Sequence, residues 1–445
     1  MTRFMPDEAL LASPRGRAFP FYADQDTAMR RDAVPPTVDL VIVGGGLAGL
    51  AVYSACWHAG LRNVVLLERT GVIGGQFFQR VDRLKQRVLR SPYDHHPGAE
   101  GHRDCELLDF ARLHWAHLTD IERREVRMAQ AGHRSVVPLD VFEGFCRHVA
   151  AIHQVYARSW QAHVSQLESS EDSVCVKTSN GEIRARSVVM CTGERRVQAP
   201  DSWRENGKDW KRVFYWDEPV PEHASAAVVV GAGLSAAHVI ANFLDKGSQV
   251  DWILRKTERY QCADVNASFF RAEGRARFLD TDRHQRLELM RRERRASIMF
   301  EFEPRIRRAE FAGQLRVHRN SHVACIGDTG EGVRLAIEGG RSIEADIAVL
   351  ALGTQANVGA GLLPDEIIAP RDGWPDIEQA TLAYTHAPRI HVVGAAAAMA
   401  LGPAARNIDG HRVATARVLK AITRTCLPAK DGRDRPSSRS VGTNA

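Results

Sequence analysis

Hydrophobic residues in this chain cluster in short solid runs separated by glycine-rich punctuation. "LVIV" (Leu40 to Val43) and "VVLL" (Val64 to Leu67) flank a segment that opens on glycines. "VVV" (Val228 to Val230) and the strand ending near Arg255 flank another. Such runs, bounded by turn signals, predict strands covered on both faces, with helices between them. Farther on, alternation takes over. "VCVKTSNGEIRARSVVMCTG" predicts a hairpin turned at Asn180-Gly181 and an apolar strand ending in Thr192-Gly193. "VRLAIEGGRSIEADIAVLALGT" predicts another, turned at Gly339-Gly340, with a strand ending in Gly353-Thr354. Both dipeptides suit a two-residue turn whose central residues need positive φ. Each half therefore reads as strand, glycine turn, helix, strand, hairpin, strand: an internal repeat and an α/β fold with two Rossmann-like units.

The glycines carry the first chemical signal. Gly44-x-Gly46-x-x-Gly49 follows one strand, and Gly231-x-Gly233-x-x-Ala236, with Ser235 inside it, follows the other. In this pattern the first glycine allows the turn, the second lets a pyrophosphate approach, and the third lets helix and strand pack closely. The helix N-terminus then offers free N–H groups to the phosphates. At the end of the next strand the two units differ. Glu68, beside Arg69, lies 24 residues after Gly44, and Arg255, beside Lys256, lies 24 residues after Gly231. A carboxylate there accepts hydrogen bonds from ribose hydroxyls, whereas a guanidinium attracts a 2′-phosphate. The first unit is expected to hold FAD and the second NADPH.

The 445 residues allow several domains. The expected division is a loose N-terminal arm over 1–36, an FAD-binding domain from 37–200 and 345–426, and an NADPH-binding domain over 201–344 inserted within it. A substrate-side insertion is expected at about 257–320 and a disordered tail over 427–445. With 44% hydrophobic and 26% charged residues and a net charge of +6, the composition is that of an ordinary globular protein. It carries no aromatic-interleaved basic stripe, so no nucleic-acid partner is expected. The uncharged run from Leu40 to Trp57 reads as strand, turn and helix, not as a membrane span. The eight cysteines include no CxxC pair and no Cys/His cluster with zinc spacing, so no metal is expected. Reduced thiols and the lack of a leader pattern imply a cytoplasmic protein.

The segments "GGGLAG", "ERTGVIGGQF", "VVMCTGE" and "VVVVGAGLS" occur in the order found in two-dinucleotide-binding-domain flavoproteins. From about residue 38 to 425 the chain resembles the class B flavin monooxygenases, which have the glutathione-reductase-like architecture. The resemblance implies that Gly75 and Gln76 lie near the flavin, that Val164 meets the adenine through its backbone, and that Gly394 closes the flavin site. Ala395 stands where many relatives have an aspartate for the ribitol, which leaves that contact to backbone groups or to Asp409. "RVFYWDEP" replaces the signature of Baeyer–Villiger enzymes.

Within that group, "LKQRVLRSPYDHH" and "ADVNASFF" look like segments of the ornithine and lysine N-hydroxylases. The likeness makes Lys85 and Asn266 candidate ligands for a substrate carboxylate. Asp94-His95-His96 reads as a surface or flavin-lining turn. The implied reaction uses NADPH to reduce FAD. A flavin C4a-hydroperoxide then oxygenates a heteroatom, chiefly by N-hydroxylation of a small amine or amino acid with O2. S-oxygenation, an NAD(P)H-dependent flavin reductase without a cysteine pair, and a non-catalytic flavoprotein are the alternatives. Few strictly catalytic side chains are expected, and none is identified, because the flavin supplies the chemistry. The pattern is compatible with a homo-oligomer.

Overall fold

A computed structural model describes residues 7–19, 28–207 and 209–426. The first glycine unit builds the centre of an eight-stranded sheet. Thr37–Val43 lies between Val64–Glu68 and Gly181–Met190, parallel to both, and Ala387–Val392 extends the parallel set beyond Gly181–Met190. Ser159–Gln161 completes the other edge. The strands Val41 to Val43 and Val64 to Leu67 are buried, as solid apolar runs require when helices cover both faces. The helices Leu47–His58, Leu139–Ile152 and Ile408–Cys426 supply much of that cover. Val174–Thr178 pairs antiparallel with Gly181–Met190, with Asn180-Gly181 at the turn, and Val164–Ser169 pairs antiparallel with Val174–Thr178.

The second glycine unit builds a separate, wholly parallel five-stranded sheet. Its order is Val213–Tyr215, Ile347–Leu350, Ala226–Val230, Gln249–Ile253, Leu315–His318. A three-stranded antiparallel sheet, Val323–Asp328, Val333–Ile337 and Arg341–Ala345, packs against it. All strands of this second body fall between Gly181–Met190 and Ala387–Val392 of the first.

Three expectations change. The boundary at 344/345 moves, because Ile347–Leu350 pairs with both Ala226–Val230 and Val213–Tyr215. Its return to the first body comes after Gly353, where Thr354–Ala356 pairs antiparallel with Glu194–Arg196. The insertion ends earlier than 320, since Leu315–His318 is a sheet strand. It holds the helices Ala272–Leu279 and Arg283–Glu293. The arm is docked rather than loose over 7–19: Leu10 is buried in the second core, and Arg15 pairs with Asp140 at 2.6 Å and Asp82 at 2.7 Å. Arg17 pairs with the buried Glu122 at 2.7 Å. Charge pairing and one apolar anchor fix a segment that has no periodic pattern to announce it. The expected tail, 427–445, lies outside the described residues. No helix among the described residues is long and apolar enough to cross a membrane.

Candidate active site

Both glycine turns open into one cavity of about 2210 Å³ between the two bodies. In the first turn Gly44 has φ +103°, and a Cβ there would stand 2.5 Å from the Cys191 carbonyl oxygen. A Cβ on Gly49 would overlap the Gly44 carbonyl oxygen itself. Gly46, by contrast, faces open space. The turn is thus closed by the first and third glycines, and the second leaves its backbone accessible at the N-terminus of Leu47–His58. In the second turn a Cβ on Gly233 would meet only Ala296, at 3.9 Å.

Glu68 sits at the strand end beside the first turn. Its carboxylate accepts from Gly45 N–H at 2.7 Å and from Thr70 N–H at 2.8 Å, which fixes it on the cavity wall. Arg69, Gln76, Val164, Thr192 and Gly193 share that wall. From the second body come Gly233, Ser235 and the exposed Arg255, and from the return segment Gly353 and Gly394. Gly49, Gly75 and Gly231 stand behind the wall as packing positions: a Cβ on Gly75 would overlap Thr70 Oγ1, and one on Gly231 the Ala351 carbonyl oxygen. Lys256 is exposed and off the wall.

Lys85 and Asn266 do not come together in the cavity. Lys85 is half-exposed and faces Glu222 at 3.7 Å, off the wall. Asn266 is exposed and caps the turn Ala267–Phe270 by accepting from Ser268 N–H at 3.0 Å. Their neighbours do reach the wall: Arg90, Asp264, Val265, Ala267 and Phe270. His95 also lines it, while His96 turns away to Glu106, Nε2 to Oε2 2.8 Å.

Long-range polar groups complete the site. Arg90, in "LRSP", donates to the carbonyls of Gln261 and Ala263 at 2.9 Å each and of Cys262 at 3.2 Å. It also donates to Ser297 Oγ at 3.1 Å, so one side chain pins two loops of the second body to the first. Burial holds the Arg90 pKa below the ordinary guanidinium value. Where the connecting strands cross, Glu194 accepts from Arg406 at 2.7 Å, Thr354 Oγ1 at 2.9 Å and Arg294 at 3.0 Å. Burial, and then the nearby Arg406 charge, lower the Arg294 pKa. Glu194 and Thr354 could have been suspected, since each adjoins a Thr-Gly or Gly-Thr strand end. Arg294 had no local signal.

The wall also fits a flavin. Asp409 is buried, and its Oδ2 has no protein partner, nor have Asn407 Oδ1 and His411 Nδ1. All three residues line the cavity beside Gly394. Buried polar atoms are almost always hydrogen-bonded, so three orphans in one patch mark a place for a polar ligand. Burial pulls the His411 pKa down to about 4, leaving a neutral ring there.

The family model described as pyridine nucleotide-disulphide oxidoreductase matches residues 38–417. Among solved structures, the ornithine N-hydroxylase of Kutzneria sp. 744, with reduced FAD, NADP+ and L-ornithine, is similar at 16% identity and TM-score 0.72. The match covers 87% of this chain and 99% of that one. The ornithine hydroxylase of Pseudomonas aeruginosa, in its reduced form, is similar at 18% identity and TM-score 0.71, over 87% of this chain and 99% of that one. The cadaverine monooxygenase of Erwinia amylovora, bound to FAD, is similar at 15% identity and TM-score 0.69, over 92% and 100%. Curated protein sequences give no match. At these identities the likeness establishes the fold.

Proposed function

The chain belongs to the pyridine nucleotide-disulphide oxidoreductase family, and from that premise we propose that it is an FAD- and NADPH-dependent monooxygenase. The reaction is oxygenation of a heteroatom, specifically N-hydroxylation of a small amine or amino acid. The observation that carries this reading is the single cavity onto which both glycine turns open, with Glu68 on one side and Arg255 on the other. Bound FAD supplies hydride acceptance and oxygen activation. The residues of this chain bind, orient and exclude water. Gly44 and Gly46 with their helix N-terminus take the FAD pyrophosphate, and Glu68 takes its adenosine ribose. Asp409 offers its free Oδ2 to the ribitol in place of the side chain that Ala395 lacks. Gly233, Ser235 and Arg255 take NADPH, the guanidinium meeting the 2′-phosphate.

A dithiol relay has no support, because no two of the eight cysteines form a CxxC or CxxxxC pair. The three similar structures act, by their names, on ornithine and cadaverine, which supports an amine as substrate. Free thiols accord with a reducing cytoplasm. Anaerobic addition of NADPH to FAD-loaded protein tests the reading. The flavin absorbance is expected to bleach, and faster with NADPH than with NADH. Persistence of the oxidised flavin spectrum with both nucleotides would contradict it.

A further inference from the structure

A second cluster of chemically capable groups lies outside the cavity, at the far end of the first glycine helix. His58 closes the helix Leu47–His58, Cys105 ends the turn Arg103–Cys105, and His153 caps Leu139–Ile152. Cys105 Sγ stands 3.6 Å from His58 Nε2 and 3.8 Å from His153 Nε2, and the two nitrogens are 2.9 Å apart. A tetrahedral zinc ion, with bonds of about 2.0–2.1 Å to nitrogen and about 2.3 Å to sulfur, has N···N edges near ~3.3 Å and N···S edges near ~3.6 Å. The three donor atoms already lie close to one face of that tetrahedron.

Surrounding contacts orient the donors. His153 Nδ1 lies 2.7 Å from the Val149 carbonyl oxygen. A carbonyl only accepts, so Nδ1 carries the proton, and the Nε2 lone pair points into the cluster. The Ala99 amide hydrogen-bonds to the Cys105 sulfur. Ser54 Oγ stands 3.3 Å from His153 Nε2, and Asp104 Oδ1 3.7 Å from the sulfur. The exposed His102 ring stacks on His58 with centroids 3.6 Å apart. His58 is exposed while Cys105 and His153 are buried, so the open side of the triangle faces solvent.

We propose that His58, Cys105 and His153 form a site for a thiophilic divalent cation, zinc, with water in the fourth position. Binding forms two Zn–N bonds and one Zn–S bond. The Cys105 proton passes to solvent, and no atom changes oxidation state. The site was invisible as a motif because its ligands are 47 and 48 residues apart along the chain. Its position suits a clamp: it joins the ends of two helices to a segment whose next residue, Glu106, lines the cavity.

The test uses full-length, FAD-loaded protein stripped with a chelator and titrated with cobalt(II), then zinc. The expected result is one cobalt per chain with a thiolate-to-cobalt charge-transfer band, displaced by zinc, and a zinc-dependent rise in Tm. Cys105→Ser should abolish the band. His58→Gln changes an exposed side chain, so its fold is safe, and it should weaken binding by at least the roughly 10–100-fold that loss of an outer-shell partner costs. Absence of the band in the unmodified protein, or its survival in Cys105→Ser, would overturn the site, as would unchanged affinity in His58→Gln.

Discussion

Glu68 and Arg255 close equivalent strands of a duplicated unit with opposite charges, and in the proposed function that contrast assigns the two nucleotides. A hydrogen bond to a charged group is worth about 1.5–3 kcal/mol, so Arg255→Ala should raise KM for NADPH roughly 10–100-fold. KM for NADH should barely move, and steady-state nucleotide oxidation measures both. Equal losses for the two would remove the 2′-phosphate contact. Gly49 acts by the absence of a side chain, because a Cβ there would overlap the Gly44 carbonyl oxygen. Gly49→Ala should cost about 1–3 kcal/mol in urea unfolding and reduce FAD retention on gel filtration. These residues were legible in the sequence because their meaning is local: a turn, a helix start, a strand end at fixed spacing. Asp409 was legible only as an alternative to the missing aspartate. Its burial and free Oδ2 required the fold.

At the scale of elements, strand–turn–helix units and hairpins are encoded by neighbouring residues, and the sequence pattern anticipates their types. What joins one element to another is encoded elsewhere. Arg90 lies in a segment noticed for Lys85, yet Arg90 is the side chain that lines the cavity and holds the loop at Gln261, while Lys85 faces the exposed Glu222 off the wall. Nothing in "LRSP" reveals that its partners are the carbonyls of residues 261 to 263. The same applies to Ile347–Leu350, whose apolar run fits either sheet until pairing decides. Arg90→Met keeps the aliphatic bulk but strips the carbonyls of Gln261, Cys262 and Ala263 of their donor. Each buried acceptor left alone costs about 1–3 kcal/mol, so a lowered urea midpoint corresponding to about 2–4 kcal/mol is expected. An unchanged midpoint would mean that the loops are held by other contacts.

For the whole molecule, the two bodies share a cavity, and a buried histidine reports on the core of the second. His238 packs edge-on to Phe302 with its centroid 4.8 Å away, and burial pushes its pKa down to about 3 from 6.5. The unfolded chain therefore binds the proton more tightly. His238 gives no penalty above pH 6.5 and destabilises progressively as pH falls from 6.5 towards 3, by about 1.4 kcal/mol per pH unit. Urea midpoints at pH 7 and pH 5 should show that fall, and His238→Leu should make it shallower. An identical slope in the variant would mean that His238 is not the group responsible.

Joint use of the two nucleotide sites for oxygen transfer is the central feature of the proposed function. The most direct measurement supplies FAD-loaded protein with NADPH, isotopically labelled O2 and a panel of small amines and amino acids. Mass spectrometry then follows the label. Labelled oxygen on nitrogen is expected in at least one substrate, with NADPH consumed in step with product. Oxygen recovered wholly as hydrogen peroxide across the panel, despite NADPH oxidation, would contradict it.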